Sequence, residues 1–226
     1  MSVGARLVVL GKQGAGKGTQ AVRLSRHYVV PHVSTGDTFR AAVRSGSEFG
    51  AKARRYLDSG ELVPDEIVIG MVRERLTRGD TTHRGFVLDG FPRTVHQAEA
   101  LAEMLQPKGL DLVIDLEVHT DQVLSRLASR RVCSDCGANY SVGENPPRIP
   151  GMCDVCGGEV VQRDDDTEAA IRRRLELYER ETAPLIDWYS KRGLLAIVDG
   201  TGNPDQVTAR VVAMIDKRKP PAGAAG

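Results

Sequence analysis

The chain has 226 residues, 41% of them hydrophobic, which is enough for one large α/β domain with room for an insertion. Its 31 Lys and Arg against 30 Asp and Glu leave a formal net charge of +1, which argues against bulk affinity for nucleic acid or an anionic membrane. No run approaches the ~18 apolar residues of a membrane span, and the first apolar run is too short for a signal peptide, so a cytoplasmic protein is expected.

In chain order, an apolar run at 7–10 stops at Gly11, and Gly14, Ala15, Gly16, Lys17, Gly18 and Thr19 lead into a helical segment. Strand, glycine loop and helix in that order make a phosphate cradle: backbone N–H groups approach an anion with no Cβ in the way, and Lys17 adds a point charge. The strict pattern G-x4-G-K-[ST] is met except that Gly18 stands where Ser or Thr is expected, with Thr19 one place later. Further strands are expected at His32–Ser34, Gly85–Asp89, 112–116 and 194–199. Helices are expected to begin after Gly16, at Asp37, near Glu48, after Pro64, near Thr94, at Thr120, at Thr167 and after Pro204, with Thr120 and Thr167 as N-caps. Near-continuous apolar runs such as LVVL and LLAIV imply strands buried on both faces, and intervening helices imply right-handed crossovers in a parallel sheet. Gly11, Gly90 and Gly200 follow three of these strands, at the carboxyl ends where such sheets build ligand sites. The tail at 217–226, KRKPPAGAAG, is expected to be disordered.

The stretch from Val132 to about Gln162 breaks this alternation and carries all four cysteines. Cys133, Cys136, Cys153 and Cys156 follow C-x2-C-x16-C-x2-C, a zinc-site spacing in which two knuckles close a tetrahedron of thiolates. Ordinary buried thiols or redox pairs are the competing readings. A segment with so little core gains from a structural metal, and one aromatic (Tyr140) with one basic residue (Arg148) over 139–152 makes a poor nucleic-acid platform.

Asp89 ends its strand beside the glycine loop, where a carboxylate can orient Mg²⁺ water, and Arg93 follows a Phe-Pro turn from which it can fork onto a phosphate. Most single arginines are solvated charges, but Arg126 and Arg130, four apart and assigned to one helical face, precede the cysteine insertion, and Arg163 and Arg174 follow it. No H-R-D-x4-N catalytic loop occurs and no general base stands out. A phosphate acceptor needs none, because it is already anionic near neutral pH; charge neutralisation and alignment then suffice.

Taken together, GKQGAGKGTQ, STGDTFRAAV, SGELVPDE, LDGFPRT, the RDDD run at 163–166 and VDGT resemble the adenylate kinase family in its long-lid, zinc-binding bacterial form, from Leu7 to about residue 215; in that family GKGT is the normal loop. The resemblance implies a single P-loop nucleoside monophosphate kinase domain with a five-stranded parallel sheet and helices on both faces. It further implies an AMP-binding mobile segment at 34–63, a zinc-binding lid at 129–166, and the Mg²⁺-dependent reaction ATP + AMP = 2 ADP by a monomer. Residue by residue, it implies that Gly14, Ala15, Gly16, Lys17, Gly18, Thr19, Arg126, Arg130, Asn139, Tyr140 and Gly202 hold ATP. Thr35, Arg40, Glu61, Leu62, Val63, Gly90, Phe91, Pro92, Arg93, Gln97, Arg163 and Arg174 would hold AMP, and the catalytic cations would be Lys17, Arg93, Arg126, Arg130, Arg163 and Arg174. Gln13 stands where the family usually has Pro, which is expected to loosen the loop slightly, and Gly202 where a longer side chain is common. The rival readings are a GTP:AMP phosphotransferase, a UMP/CMP kinase (disfavoured by the long insertion) and a nucleotide-regulated zinc-ribbon binding module.

Overall fold

The computed structural model describes residues 4–143, 145–163 and 165–218. The chain runs β1 (Ala5–Leu10), α1 (Lys17–Tyr28), β2 (His32–Ser34), α2 (Thr35–Arg44), α3 (Glu48–Ser59), α4 (Asp65–Leu76), α5 (Gly79–Arg84), β3 (Gly85–Asp89), α6 (Val95–Met104) and β4 (Leu112–Glu117). It continues through α7 (Thr120–Ser129), β5 (Arg130–Cys133), β6 (Asn139–Ser141), β7 (Val160–Val161), α8 (Glu168–Leu177), a π-helical turn (Tyr178–Thr182), α9 (Pro184–Ser190), β8 (Leu195–Asp199) and α10 (Pro204–Arg218).

Five strands form one parallel sheet in the order β2-β3-β1-β4-β8. Its apolar runs are continuous because both faces are covered. Leu7 and Val9 of β1 pack on one side with Leu24, Ile114, Val123, Leu127 and Val211. Val8 and Leu10 pack on the other with Phe86, Leu88, Leu101, Val113 and Leu185. Register brings the strand ends level: Val9 and Ser34 both pair with Asp89, and Leu10 pairs with Asp115. The turns after β1 and β3 therefore emerge side by side. The insertion forms a separate antiparallel sheet, β6-β5-β7, around a small cluster of Cys133, Tyr140 and Cys153.

Several local expectations change. Helix α2 starts at Thr35 rather than Asp37, because Ser34 Oγ accepts from Asp37 N at 3.2 Å and caps it two residues earlier. Thr167 caps α8 by accepting from Ala170 N, but Thr120 is the first residue of α7, not its cap, and its hydroxyl accepts from Lys12 Nζ at 3.1 Å. Arg126 and Arg130 do not share a helical face: α7 ends at Ser129, and Arg130 is extended (φ −64°, ψ 136°) at the start of β5. Helix α5, with six residues, is too short to show a period. Helix α9 follows a π turn whose Ala183 N donates to Tyr178 O; Pro184 has no N–H to continue the regular ladder, so the register slips there. Lys217 and Arg218 extend the last turn of α10, where cations suit the helix dipole, and residues 219–226 of the expected tail lie outside the described residues.

Candidate active site

The carboxyl ends of β1 and β3 open into a cavity of about 500 Å³. The glycine loop forms its floor. Gly16 has φ 98° at the N-cap of α1, a left-handed conformation that a Cβ would strain. A Cβ on Gly18 would sit 3.3 Å from Asp89 Oδ2, so the irregular glycine of the motif is where the loop passes the strand-end carboxylate. Lys17 Nζ folds back onto Gly11 O (2.7 Å) and Lys12 O (2.8 Å). Burial, with Arg93 and Arg130 nearby, pulls it down to about 8 against the opposing pull of Asp89.

Asp89 is half-buried, and the solvent it loses pushes its carboxyl up, yet His32, Lys17 and Arg93 outweigh this and hold it below its ordinary value. His32 Nε2 lies 3.7 Å from Oδ2, an electrostatic neighbour beyond hydrogen-bond range. Arg93 Nε donates to Gly90 O at 2.9 Å; burial first, then Arg174, Arg40 and Arg163, bring this arginine down to about 10. Arg40 and Arg130 are lowered in the same way, by burial and by Arg163. Arg126 reaches across to the carbonyls of Gly200 (3.1 Å) and Gly202 (3.5 Å).

Two carboxylates that the sequence reading left without a role organise these cations. Asp165 accepts from Arg163 (2.9 and 2.6 Å) and from Arg174 (2.7 Å), and these outweigh burial to keep its carboxyl well below the usual range. Asp166, with a fully buried side chain, accepts from Arg130 Nε at 2.7 Å and again from Arg130 Nη2. The only sequence signal for them was the RDDD run itself. Gln97 Oε1 accepts from Arg93 N (2.8 Å) and its Nε2 donates to Asp65 Oδ1 (2.7 Å), which fixes the amide orientation and leaves one N–H and one lone pair. Thr35 Oγ1 donates to Gly90 O at 2.9 Å.

Of the expected site residues, Gly14, Ala15, Gly16, Lys17, Gly18, Thr19, Thr35, Arg40, Glu61, Leu62, Val63, Asp89, Gly90, Pro92, Arg93, Gln97, Arg126, Arg130, Asn139, Tyr140, Arg163, Arg174 and Gly202 all line this one cavity. Phe91 does not; its side chain is fully buried in the core below the turn. The family model for adenylate kinase matches residues 9–194. The chain belongs to the adenylate kinase family. Curated adenylate kinases agree along almost the full length. That of Thermodesulfovibrio yellowstonii is 52% identical over 215 residues, covering 94% of this chain and all of the relative. Those of Moorella thermoacetica (54% over 198 residues; 87% and 91% of the two chains) and Acidothermus cellulolyticus (51% over 212; 93% and 97%) match similarly. As an adenylate kinase it is a phosphotransferase of the reaction ATP + AMP = 2 ADP, and adenylate kinases use Mg²⁺ with ATP.

The four cysteine Sγ atoms lie within 4.8 Å of one another, with Cys133 and Cys136 also on the cavity wall. Cys133–Cys156 and Cys136–Cys153 are 3.5 and 3.6 Å apart, near the ~3.8 Å edge of a tetrahedron with Zn–S bonds of about 2.3 Å. Val155 N points at Cys153 Sγ (3.4 Å), and Tyr140 Oη lies 3.3 Å from the same sulfur. Tyr140, acting first, brings the Cys153 thiol down to about 6, and a thiolate is what a metal ligand must be. The donor set fits zinc.

Proposed function

We propose that the cavity is a two-nucleotide site. Gly14 to Thr19 receive the donor phosphates, with Asn139, Tyr140 and the Gly202 carbonyl along the ATP end. Thr35, Arg40, the backbone at 61–63, Gly90, Pro92, Arg93 and Gln97 receive AMP, where the remaining N–H and lone pair of Gln97 suit a base edge. Asp89 would hold the waters of Mg²⁺, which supplies charge neutralisation on the phosphates. Lys17, Arg93, Arg126, Arg130, Arg163 and Arg174 surround the transferring group. The observation that carries this reading is the crowding of half-buried cations: Lys17, Arg40, Arg93 and Arg130 line one cavity and are all pulled down, first by loss of solvent and then by neighbouring cations, Arg163 and Arg174 among them. Such a site favours a polyanion, and a preorganised positive field is what phosphoryl transfer between phosphates requires.

In the same reading, segments 34–63 and 129–166 close over the nucleotides and exclude water, so that transfer to AMP outruns hydrolysis. Cys133, Cys136, Cys153 and Cys156 hold a structural Zn²⁺ that stiffens the lid. No helix among the described residues is long and apolar enough to cross a membrane. A cytoplasmic monomer that binds neither nucleic acid nor membrane fits the near-neutral charge.

The test is ADP formation from ATP plus AMP, with GTP and UMP as competitors for the two places. Arg93→Ala should cut turnover by roughly 10²- to 10³-fold while leaving the circular dichroism and melting curve intact, because it removes a charge clamp rather than core. Near-normal turnover in that variant refutes the assigned role.

A further inference from the structure

Gln13 sits in the glycine loop and lines the cavity. Far from loosening the loop, its side chain ties it down: Nε2 donates to Asp166 Oδ1 at 3.1 Å, across 153 residues of sequence. Asp166 has no solvent-exposed side-chain surface, and its other partners are Arg130 and, at 3.8 Å, Arg174. Among the described residues, Gln13 is thus the neutral side-chain donor on a carboxylate otherwise held by two cations that line the nucleotide cavity. The carboxylate also dictates which way the amide faces, since a flipped Gln13 would set oxygen against oxygen. The cost of that orientation is visible at the other end, where Gln13 Oε1 is buried and accepts no hydrogen bond.

We propose that Gln13 is a positioning residue for phosphoryl transfer, holding Asp166 on the phosphate loop while Arg130 exchanges that carboxylate for nucleotide phosphates. The proposal rests on the site reading above. A buried carboxylate that loses its close cation is unfavourable, and Arg174 stays 3.8 Å away, so Arg130 turns toward phosphate more easily when Asp166 keeps a hydrogen-bond donor. Gln13 supplies it from the loop on which the donor phosphates rest, so the two stay in register as Arg130 swings.

The experiment is steady-state kinetics with ATP and AMP on Gln13→Met, a near-isosteric side chain without the amide, in the wild-type and Asp166→Ala backgrounds. In the wild-type background kcat should fall roughly three- to tenfold, the loss of one hydrogen bond, with the KM for AMP within about twofold and the melting temperature held. In the Asp166→Ala background, which has no acceptor for the amide, the same substitution should change kcat by less than about twofold. Gln13→Glu, which sets a second carboxylate against Asp166 and needs no second substitution, should lower kcat further than Gln13→Met. Equal losses in both backgrounds, unchanged kcat in Gln13→Met, or equal activity of the Met and Glu variants overturns the proposal. Arg130→Ala separates the two levels. Full activity there sinks the site reading itself, whereas its loss alongside full activity in Gln13→Met sinks only the role of Gln13.

Discussion

Lys17 shows how one residue takes its chemistry from its surroundings. In an extended chain it is an ordinary lysine; at the start of α1 it is half-buried with arginines close by, and loss of solvent lowers it to about 8. The direction of the pH effect follows. Below about 8 the free enzyme carries the cation that donor phosphates need; above it, binding must also take up a proton, so ATP affinity should be full below pH 8 and decline as pH rises through it. Calorimetry in buffers of different ionisation enthalpy should show that proton uptake at pH 8.5 to 9 (about half to one unit above the shift) and little at pH 7. Lys17→Met should bind ATP weakly and lose the dependence. Asp165 has the opposite sign. Its depressed carboxyl stabilises the arginine cluster above the ordinary value of 3.8, and that contribution is lost as acid protonates it.

Among the elements, the small sheet of β5, β6 and β7 is the one least able to hold itself together. Its buried cluster is Cys133, Tyr140 and Cys153, with Ala138 and Val160 packed against it, whereas β1 alone buries Leu7, Val8, Val9 and Leu10. Val142, Ile149, Met152 and Val155 of the same insertion are exposed. A structural zinc contributes on the order of 10 kcal/mol to such a unit, far more than those few side chains. Chelation, or Cys153→Ser, should therefore abolish stoichiometric zinc and let the amides of 130–161 exchange while those of β1, β3 and β4 stay protected. Retention of one zinc per chain in Cys153→Ser would refute the four-cysteine site. The link between the two parts is short: α7 ends at Ser129, and Arg130, which opens the antiparallel sheet, is fastened to Asp166 beyond β7.

At the scale of the molecule, the parallel sheet is a platform whose strand ends present one cavity, lined by the ends of β1 and β3, the loops after them, α1, α2, α6, α7, α8 and the insertion. A ligand that bridges these parts binds only the folded arrangement. Saturation with both nucleotides, in a non-transferable pair at about 100 times the dissociation constant, should stabilise the protein by about 2.7 kcal/mol per ligand bound. That corresponds to a rise in melting temperature of roughly 5–10 °C per ligand for a chain of this size. An unchanged melting temperature would mean that the nucleotides do not bind the folded state. Differential scanning calorimetry reads both this shift and any separate transition of the insertion.

The sheet, its order of helices and the phosphate loop were legible in the sequence because they rest on local signals: apolar runs buried on both faces, helix caps such as Thr167, and glycines where backbone meets ligand. The cysteine spacing was legible for the same reason, since each knuckle closes within a few residues. The short pieces were not. Helices α5 and α9 have no room for a period, and the π turn depends on Pro184 meeting a ladder already formed. Arg126 and Arg130 looked like one helical face until the helix ended between them. What only the tertiary structure decided is which charges and amides pair: Arg130 with Asp166 and Gln13 with Asp166 far along the chain, and Arg174 with Asp165 across the turn into α8. Those partners are chosen by proximity in the folded chain, where a buried charge must find its counterpart, and no spacing along the sequence encodes which of the many arginines and carboxylates will meet.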